Sequence, residues 1–128
     1  MGLKLTKLGV TLDSNNPDEL SDFYQKLLGW EKRKYTINSI VFNDNDNDND
    51  SMPFQLLFQY DENYVRPVWP AEPGEQQQMT HLDFFVENIE EGVAHALSCG
   101  AVISPIQFTD SWRVMIDPAG HPFCICPR

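Results

Sequence analysis

A chain of 128 residues, 41% hydrophobic and 22% charged, is long enough to bury a core without disulfide staples and has the balance of an ordinary globular domain. With 19 Asp and Glu against 9 Lys and Arg, the formal net charge of −10 excludes nucleic acid and anionic membrane surfaces as partners, since both need a basic face. No apolar run reaches the length of a membrane span, the first residues lack a signal-peptide core, and Cys99, Cys124 and Cys126 follow no framework spacing, so a reduced, cytoplasmic protein is expected.

Met1 to Thr6 matches the short myristoylation pattern, but so short a pattern reads better as a polar lead-in to the first strand. From Leu8 to Asp13, Val10 and Leu12 alternate with Gly9, Thr11 and Asp13, the period of a strand with one face under a helix and the other polar. A helix follows. Asn16 is placed to cap it, Pro17 suits its first position, and Asp18 and Glu19 suit the positive end of its dipole. Leu20, Phe23, Tyr24, Leu27 and Leu28 form its apolar face before Gly29 stops it. Ser39–Phe42 and Pro53–Leu57 then read as short strands.

Between those strands, residues Asn43 to Asp50 repeat Asn-Asp without apolar content, the composition of a solvated, mobile loop. A calcium loop starting at Asp44 would need Gly and Glu where Asn49 and Gln55 stand, so a specific calcium site is not expected. The segment Asp61 to Gln78 carries Pro67, Pro70 and Pro73 together with Tyr64, Arg66 and Trp69. It reads either as a packed linker or as a flap over a cleft.

The second half repeats the first. Thr80–Val86 alternates like the first strand, and Asn88 and Glu91 open a helix with Ile89, Val93, Ala96 and Leu97 on its apolar face. Gly92 interrupts that helical pattern, and Gly100 ends it. Trp112–Met115 and Pro122–Cys126 follow, joined by the Asp117–Pro122 turn. Residues 6–60 and 79–127 thus read as like-ordered modules joined by a linker over 61–78, within one domain spanning 1–128. This is an α+β arrangement with a ligand cleft expected where the modules meet.

Strand parity places Thr11, Gln55, His81, Asp83 and Cys124 on the polar wall of that cleft, and Val10, Leu12, Leu82 and Phe84 beneath the helices. His81 reads either as a structural hydrogen-bonding imidazole or as a cleft group. Asp13 and Asp83, at equivalent module positions, read as an acid–base pair or as carboxylates held in turns and ion pairs. Cys124 reads as a small buried filler. Cys124 and Cys126 share a strand face and are poorly placed for a mutual disulfide. Trp30 and Trp112 read as core or interface, although Trp112 begins a strand that could open into the cleft.

Several segments together are similar to the vicinal oxygen chelate superfamily, within it to glyoxalase-like domains related to bleomycin resistance proteins. They are Asn-Asn-Pro-Asp-Glu-Leu-Ser-Asp-Phe-Tyr, Leu-Leu-Gly-Trp, His-Leu-Asp-Phe-Phe-Val and Asp-Pro-Ala-Gly-His-Pro-Phe-Cys-Ile-Cys. The resemblance implies tandem βαβββ modules whose curled mixed sheets form a cavity, often completed in a homodimer. It covers metal-dependent lyases, isomerases, dioxygenases and thiol transferases as well as metal-free binding proteins, so fold does not choose the function. The superfamily's metal-ligand positions fall on Gly9, Gln55, His81 and Cys124, a poor set for a hard cation. Zinc accepts His and Cys, but two strong ligands are too few for a closed site.

The reading is therefore a cytoplasmic, homodimeric small-molecule-binding protein with no metal cofactor. Thr11, Asp13, Gln55, His81, Asp83, Trp112 and Cys124 are its candidate ligand-binding residues, and no catalytic residue is assigned. The rival is a lyase or isomerase using His81 with Asp83 or Asp13 as acid and base, with or without the assistance of a divalent metal. One prediction is independent of that choice. Shortening the Asn43–Asp50 repeat to the length of the Asp117–Pro122 turn should change stability in chemical denaturation by less than about a kcal/mol, because loop closure depends weakly on length.

Overall fold

The helix-capping and strand signals are realised in a computed structural model that describes residues 2–43 and 53–128; residues 44–50 of the Asn-Asp repeat, and with them the loop expectation, lie outside the described residues. The first half runs β1 (Leu8–Ser14), α1 (Pro17–Leu28), β2 (Glu31–Tyr35), β3 (Asn38–Asn43) and β4 (Phe54–Tyr60). The second runs β5 (Leu82–Val86), α2 (Ile89–Cys99), β6 (Val102–Ile103), β7 (Arg113–Ile116) and β8 (Pro122–Pro127). The chain divides into two compact units, Met1–Tyr64 and Val65–Arg128.

Each unit holds a mixed sheet of 4 strands, ordered β1-β4-β3-β2 in the first and β5-β8-β7-β6 in the second. In both, the first strand pairs parallel with the last and the remaining pairs are antiparallel. The two βαβββ units therefore share element order and strand order, as the sequence repeat requires.

In the first unit Asn16 accepts the Glu19 N–H at 3.1 Å, and Gly29, at φ 68°, takes the left-handed cap and donates to the Gln25 carbonyl. Helix α1 packs mainly on β3 and β4. Its Tyr24 ring stacks on Phe58 at 5.6 Å, with Leu20, Val41 and Leu56 buried around it. Strand β2 had no apolar alternation to announce it: Glu-Lys-Arg-Lys-Tyr is polar throughout. Its parity is electrostatic instead. Lys32 pairs with Asp22 at 2.6 Å and Lys34 with Asp18 at 2.9 Å, both acids on α1, while Arg33 and Tyr35 take the opposite face. The Lys34 hydrogen bond holds the Asp18 carboxyl below its ordinary value.

In the second unit Asn88 accepts the Glu91 N–H at 3.0 Å. Gly92, which breaks the helical pattern in the sequence, lies close against the sheet under α2. A Cβ there would stand 3.1 Å from Ile125 Cγ2 and 3.4 Å from Val86 Cγ2. Phe84 and Phe123 meet edge to face at 5.8 Å in the same layer, with Met115 and Ile125 buried beside them. Strand β6 has only two residues, too short for a periodic signal.

The turn between β7 and β8 is tightly bonded. The buried Asp117 carboxylate accepts the Ala119 and His121 N–H groups, both at 2.9 Å, and Arg66 Nη1 donates to the Pro118 carbonyl at 3.0 Å. Gly120 has φ 94°, and a Cβ there would run into the Arg66 side chain, with Nε 2.8 Å away. Gly120→Ala should therefore cost about 1–3 kcal/mol in urea denaturation, from backbone strain and the displaced arginine. Asp117→Ala should cost a similar amount by stranding buried N–H groups, and unchanged stability in both variants would contradict this account of the turn.

Candidate functional site

The pleat decides which side chains are available for chemistry. Val86 and Ile125 lie against Gly92 of α2, so their strand neighbours Phe85, Cys124 and Cys126 point to the opposite face, as does Asp83. The parallel register sets Asp83 directly beside Cys124. In the first unit Phe58 faces α1 through Tyr24, so Thr11, Asp13, Gln55 and Leu57 occupy the other face of that sheet. Val10, Leu12, Leu82 and Phe84 take the helix side, as parity requires.

Three of the candidate residues come together. His81 Nε2 lies 3.2 Å from Asp83 Oδ1, and one ligand atom each from His81, Asp83 and Cys124 lies within 4.8 Å of the others. His81 and Asp83 are exposed, whereas Cys124 is buried, with 6% of its surface accessible. Burial first, then the Asp83 carboxylate, push the Cys124 thiol from an ordinary 9.0 up to about 12, so it is protonated at neutral pH. The same two causes raise Cys126. Asp83 is the hub: it takes the imidazole on one side and the thiol on the other.

The segment joining the two halves of the sequence packs against this cluster. The Trp69 ring centroid is 5.9 Å from that of His81 and 6.3 Å from that of Phe108, the latter edge to face, and Trp69 Nε1 is buried with no hydrogen-bond partner among the described residues. Phe108 is carried by a loop anchored through Gln107, which donates to the Ser104 and Val114 carbonyls at 2.9 Å and accepts the Val114 N–H at 2.8 Å. Gln78 meets His121 Nδ1 at 3.2 Å. Trp69 was readable as linker or flap, but its contact with His81 has no local sequence signal. Phe108 and Gln78 gave none.

The other candidates are placed differently. Trp112 is exposed one residue ahead of β7, and its carbonyl accepts an Arg113 N–H at 3.0 Å. Thr11, Asp13 and Gln55 belong to the first unit. The Gln55 side chain folds over Gly9, where a Cβ would meet Gln55 Cγ at 3.2 Å, so the residue without a side chain makes room for the amide. On the same face a cavity of about 170 Å³ is lined by Lys7, Arg33, Tyr35, Phe42 and Gln55 among others. Arg33 Cζ lies 5.2 Å from the Phe42 ring centroid, and Arg33 Nη1 donates to the Tyr35 hydroxyl at 3.3 Å.

The donor set of the second unit can be tested against a metal by its chemistry. One imidazole, one carboxylate and one protonated thiol do not suit a hard cation, which requires several oxygen ligands. They suit a borderline ion such as zinc better, provided the thiol is deprotonated on binding.

The glyoxalase-like domain family matches residues 9–126, and the chain belongs to that family. No curated protein matches the sequence. Among solved structures, the fold is similar to a glyoxalase/bleomycin resistance protein/dioxygenase family enzyme from Burkholderia phytofirmans PsJN (16% identity, TM-score 0.63, 93% of this chain and 95% of that one). It is also similar to the trypanothione-dependent glyoxalase I of Leishmania major (17% identity, TM-score 0.58, 93% and 84%). A third similar structure is TnmS3, an antibiotic-binding protein from Streptomyces sp. CB03234 (12% identity, TM-score 0.59, 99% and 98%). At these identities the likeness is one of fold, shared by enzymes and a binding protein alike.

The thiol chemistry gives a direct check. A raised thiol pKa contributes stability that is complete below pH 9.0 and is lost as pH climbs from there toward about 12. Folded protein at pH 8 should show Cys124 resistant to iodoacetamide, with labelling on unfolding in urea read by peptide mass spectrometry. Rapid labelling of Cys124 in the folded protein would mean the thiol is exposed or ionised.

Proposed function

We propose that this chain is a small-molecule-binding glyoxalase-like protein that works without a catalytic metal. The observation that carries the reading is the His81–Asp83–Cys124 cluster, in which Asp83 already bonds both the imidazole and the thiol. Asp83 accepts the Nε2 proton of His81, which leaves Nδ1 as an acceptor for a ligand N–H or O–H. The thiol stays protonated beside them and adds no negative charge to that of the Asp83 carboxylate. The Trp69 and Phe108 rings supply apolar surface next to these polar anchors, the combination that suits an aromatic or amphipathic ligand. Thr11, Asp13 and Gln55 are the polar groups that the first unit's sheet offers on its open face. TnmS3, an antibiotic-binding protein, supports the reading as a fold of this kind used for binding. The three free thiols fit a reducing compartment, and the cytoplasm is part of this reading.

A second reading is favoured by the same cluster's compactness. A zinc-type ion held by His81, Asp83 and Cys124 would supply Lewis acidity at an open coordination position, for a lyase or isomerase.

Metal analysis of protein purified without chelator, together with a thermal-shift screen of aromatic metabolites and drugs, separates the two. The binding reading expects metal far below stoichiometric and at least one stabilising ligand. His81→Gln should then weaken that ligand several-fold, the scale of one hydrogen bond of about 0.5–1.5 kcal/mol, with the melting temperature of the free protein unchanged. If the substitution strips a stoichiometric divalent ion and abolishes turnover, the enzyme reading replaces it.

A further inference from the structure

Cys126 takes no part in the binding just described, yet the same strand fixes its place. It lies two residues beyond Cys124 on β8, and Ile125 between them is committed to Gly92 of α2, so the two thiols share the open face of the sheet. Across the register with β5, Cys124 stands beside Asp83 and Cys126 beside Phe85, which is 70% exposed. Cys124 is buried, Cys126 is half-buried, and neither is in a disulfide.

The two thiols and the Asp83 carboxylate lie within one another's fields. Burial, then Asp83, raises both thiols, and Cys126 adds to the rise at Cys124. Negative charge on either sulfur is thus opposed by its neighbours. Among the described residues Asp83 makes an ion pair only with the His81 imidazole, and no Lys or Arg pairs with it. A cation placed between the sulfurs would remove the repulsion that keeps the protons on them.

Spacing selects the kind of cation. Same-face neighbours on a strand stand about 6.6 Å apart along it, too far for a disulfide of about 2 Å to join without bending the strand. Two metal–sulfur bonds of about 2.3 Å each span up to about 4.6 Å, so one ion joins the sulfurs when both side chains lean inward. Paired thiolates take soft ions, whereas a hard cation requires several oxygens.

From this juxtaposition we propose that Cys124 and Cys126 form a dithiolate site for a soft, thiophilic metal ion taken up from solution, with the Asp83 carboxylate alongside. On binding, each thiol releases its proton to solvent as its sulfur takes the ion, with no change of oxidation state. The site requires Cys126 and no His81 ligand, and in both respects it differs from a zinc-type ion held by His81, Asp83 and Cys124. It goes beyond the small-molecule reading and does not depend on it.

The test is titration of the full, reduced chain with Cd²⁺, read by the ultraviolet thiolate-to-cadmium charge-transfer band and by competition with a chromophoric chelator. A single ion per chain should raise the band, and a large excess of Mg²⁺ should not displace it. Cys124→Ser and Cys126→Ser should each remove the band and weaken Cd²⁺ by at least about a hundredfold, the upper end of what changes around a metal ligand produce. His81→Gln should alter the affinity by less than about tenfold. Cys99→Ser should leave band and affinity unchanged. Cys126 is half-buried near the end of β8, so its variant keeps the test decisive even if Cys124→Ser misfolds.

No charge-transfer band, or a band that survives Cys126→Ser, would overturn the proposal. The small-molecule reading would stand in the first case, because it turns on His81 and not on Cys126. Cd²⁺ binding that needs His81 and Cys124 but not Cys126 would overturn the proposal in favour of the three-donor ion.

Discussion

Everything chemical in this protein depends on the pleat of two mixed sheets and on the helix that covers one face of each. In a strand, successive side chains alternate faces, so the contact that seats a helix also decides which residues remain for ligands. In the second unit that contact is made at Gly92, where α2 meets Val86 and Ile125. With those two residues committed to the helix, Phe85 and Cys124 must face away, and the register of β5 with β8 brings Asp83 beside the thiol. In the first unit, Tyr24 on Phe58 plays the equivalent part. A one-residue slip in either sheet would bury the polar set and expose the core.

The two open faces then diverge in chemistry. In the second unit a carboxylate sits between an imidazole and a thiol, and its charge together with burial keeps that thiol protonated. In the first unit an arginine and a lysine line a small cavity with an aromatic floor. The sequence repeat is therefore a repeat of architecture only. Gly9 stands where the second unit has His81, and the Gln55 amide lies over it, so the first unit has no imidazole to match.

How much of this was legible in the sequence follows from the range of each interaction. Helix caps at Asn16 and Asn88 and stops at Gly29 and Gly100 are local, and each is found where the residues place it. The parity that unites His81, Asp83 and Cys124 was legible because period-two alternation is a strand's strongest signature. Strand β2 was not, since its alternation is between lysines paired to α1 and an arginine facing away, which composition cannot distinguish. Gly92 read as a flaw in a helix because its purpose lies across the helix–sheet contact. Trp69 and Phe108 reach the cluster from segments without periodic structure, so only the folded chain shows their position.

The proposed function turns on whether His81, 3.2 Å from Asp83, serves as a hydrogen-bonding group or as a metal ligand. Long-range nitrogen–proton NMR of the histidine rings, recorded before and after addition of a strong chelator, reads that state directly. The account predicts that His81 is the tautomer protonated on Nε2 with a bare Nδ1, unchanged by the chelator. Ring nitrogen shifts of His81 that move when the chelator is added would contradict it.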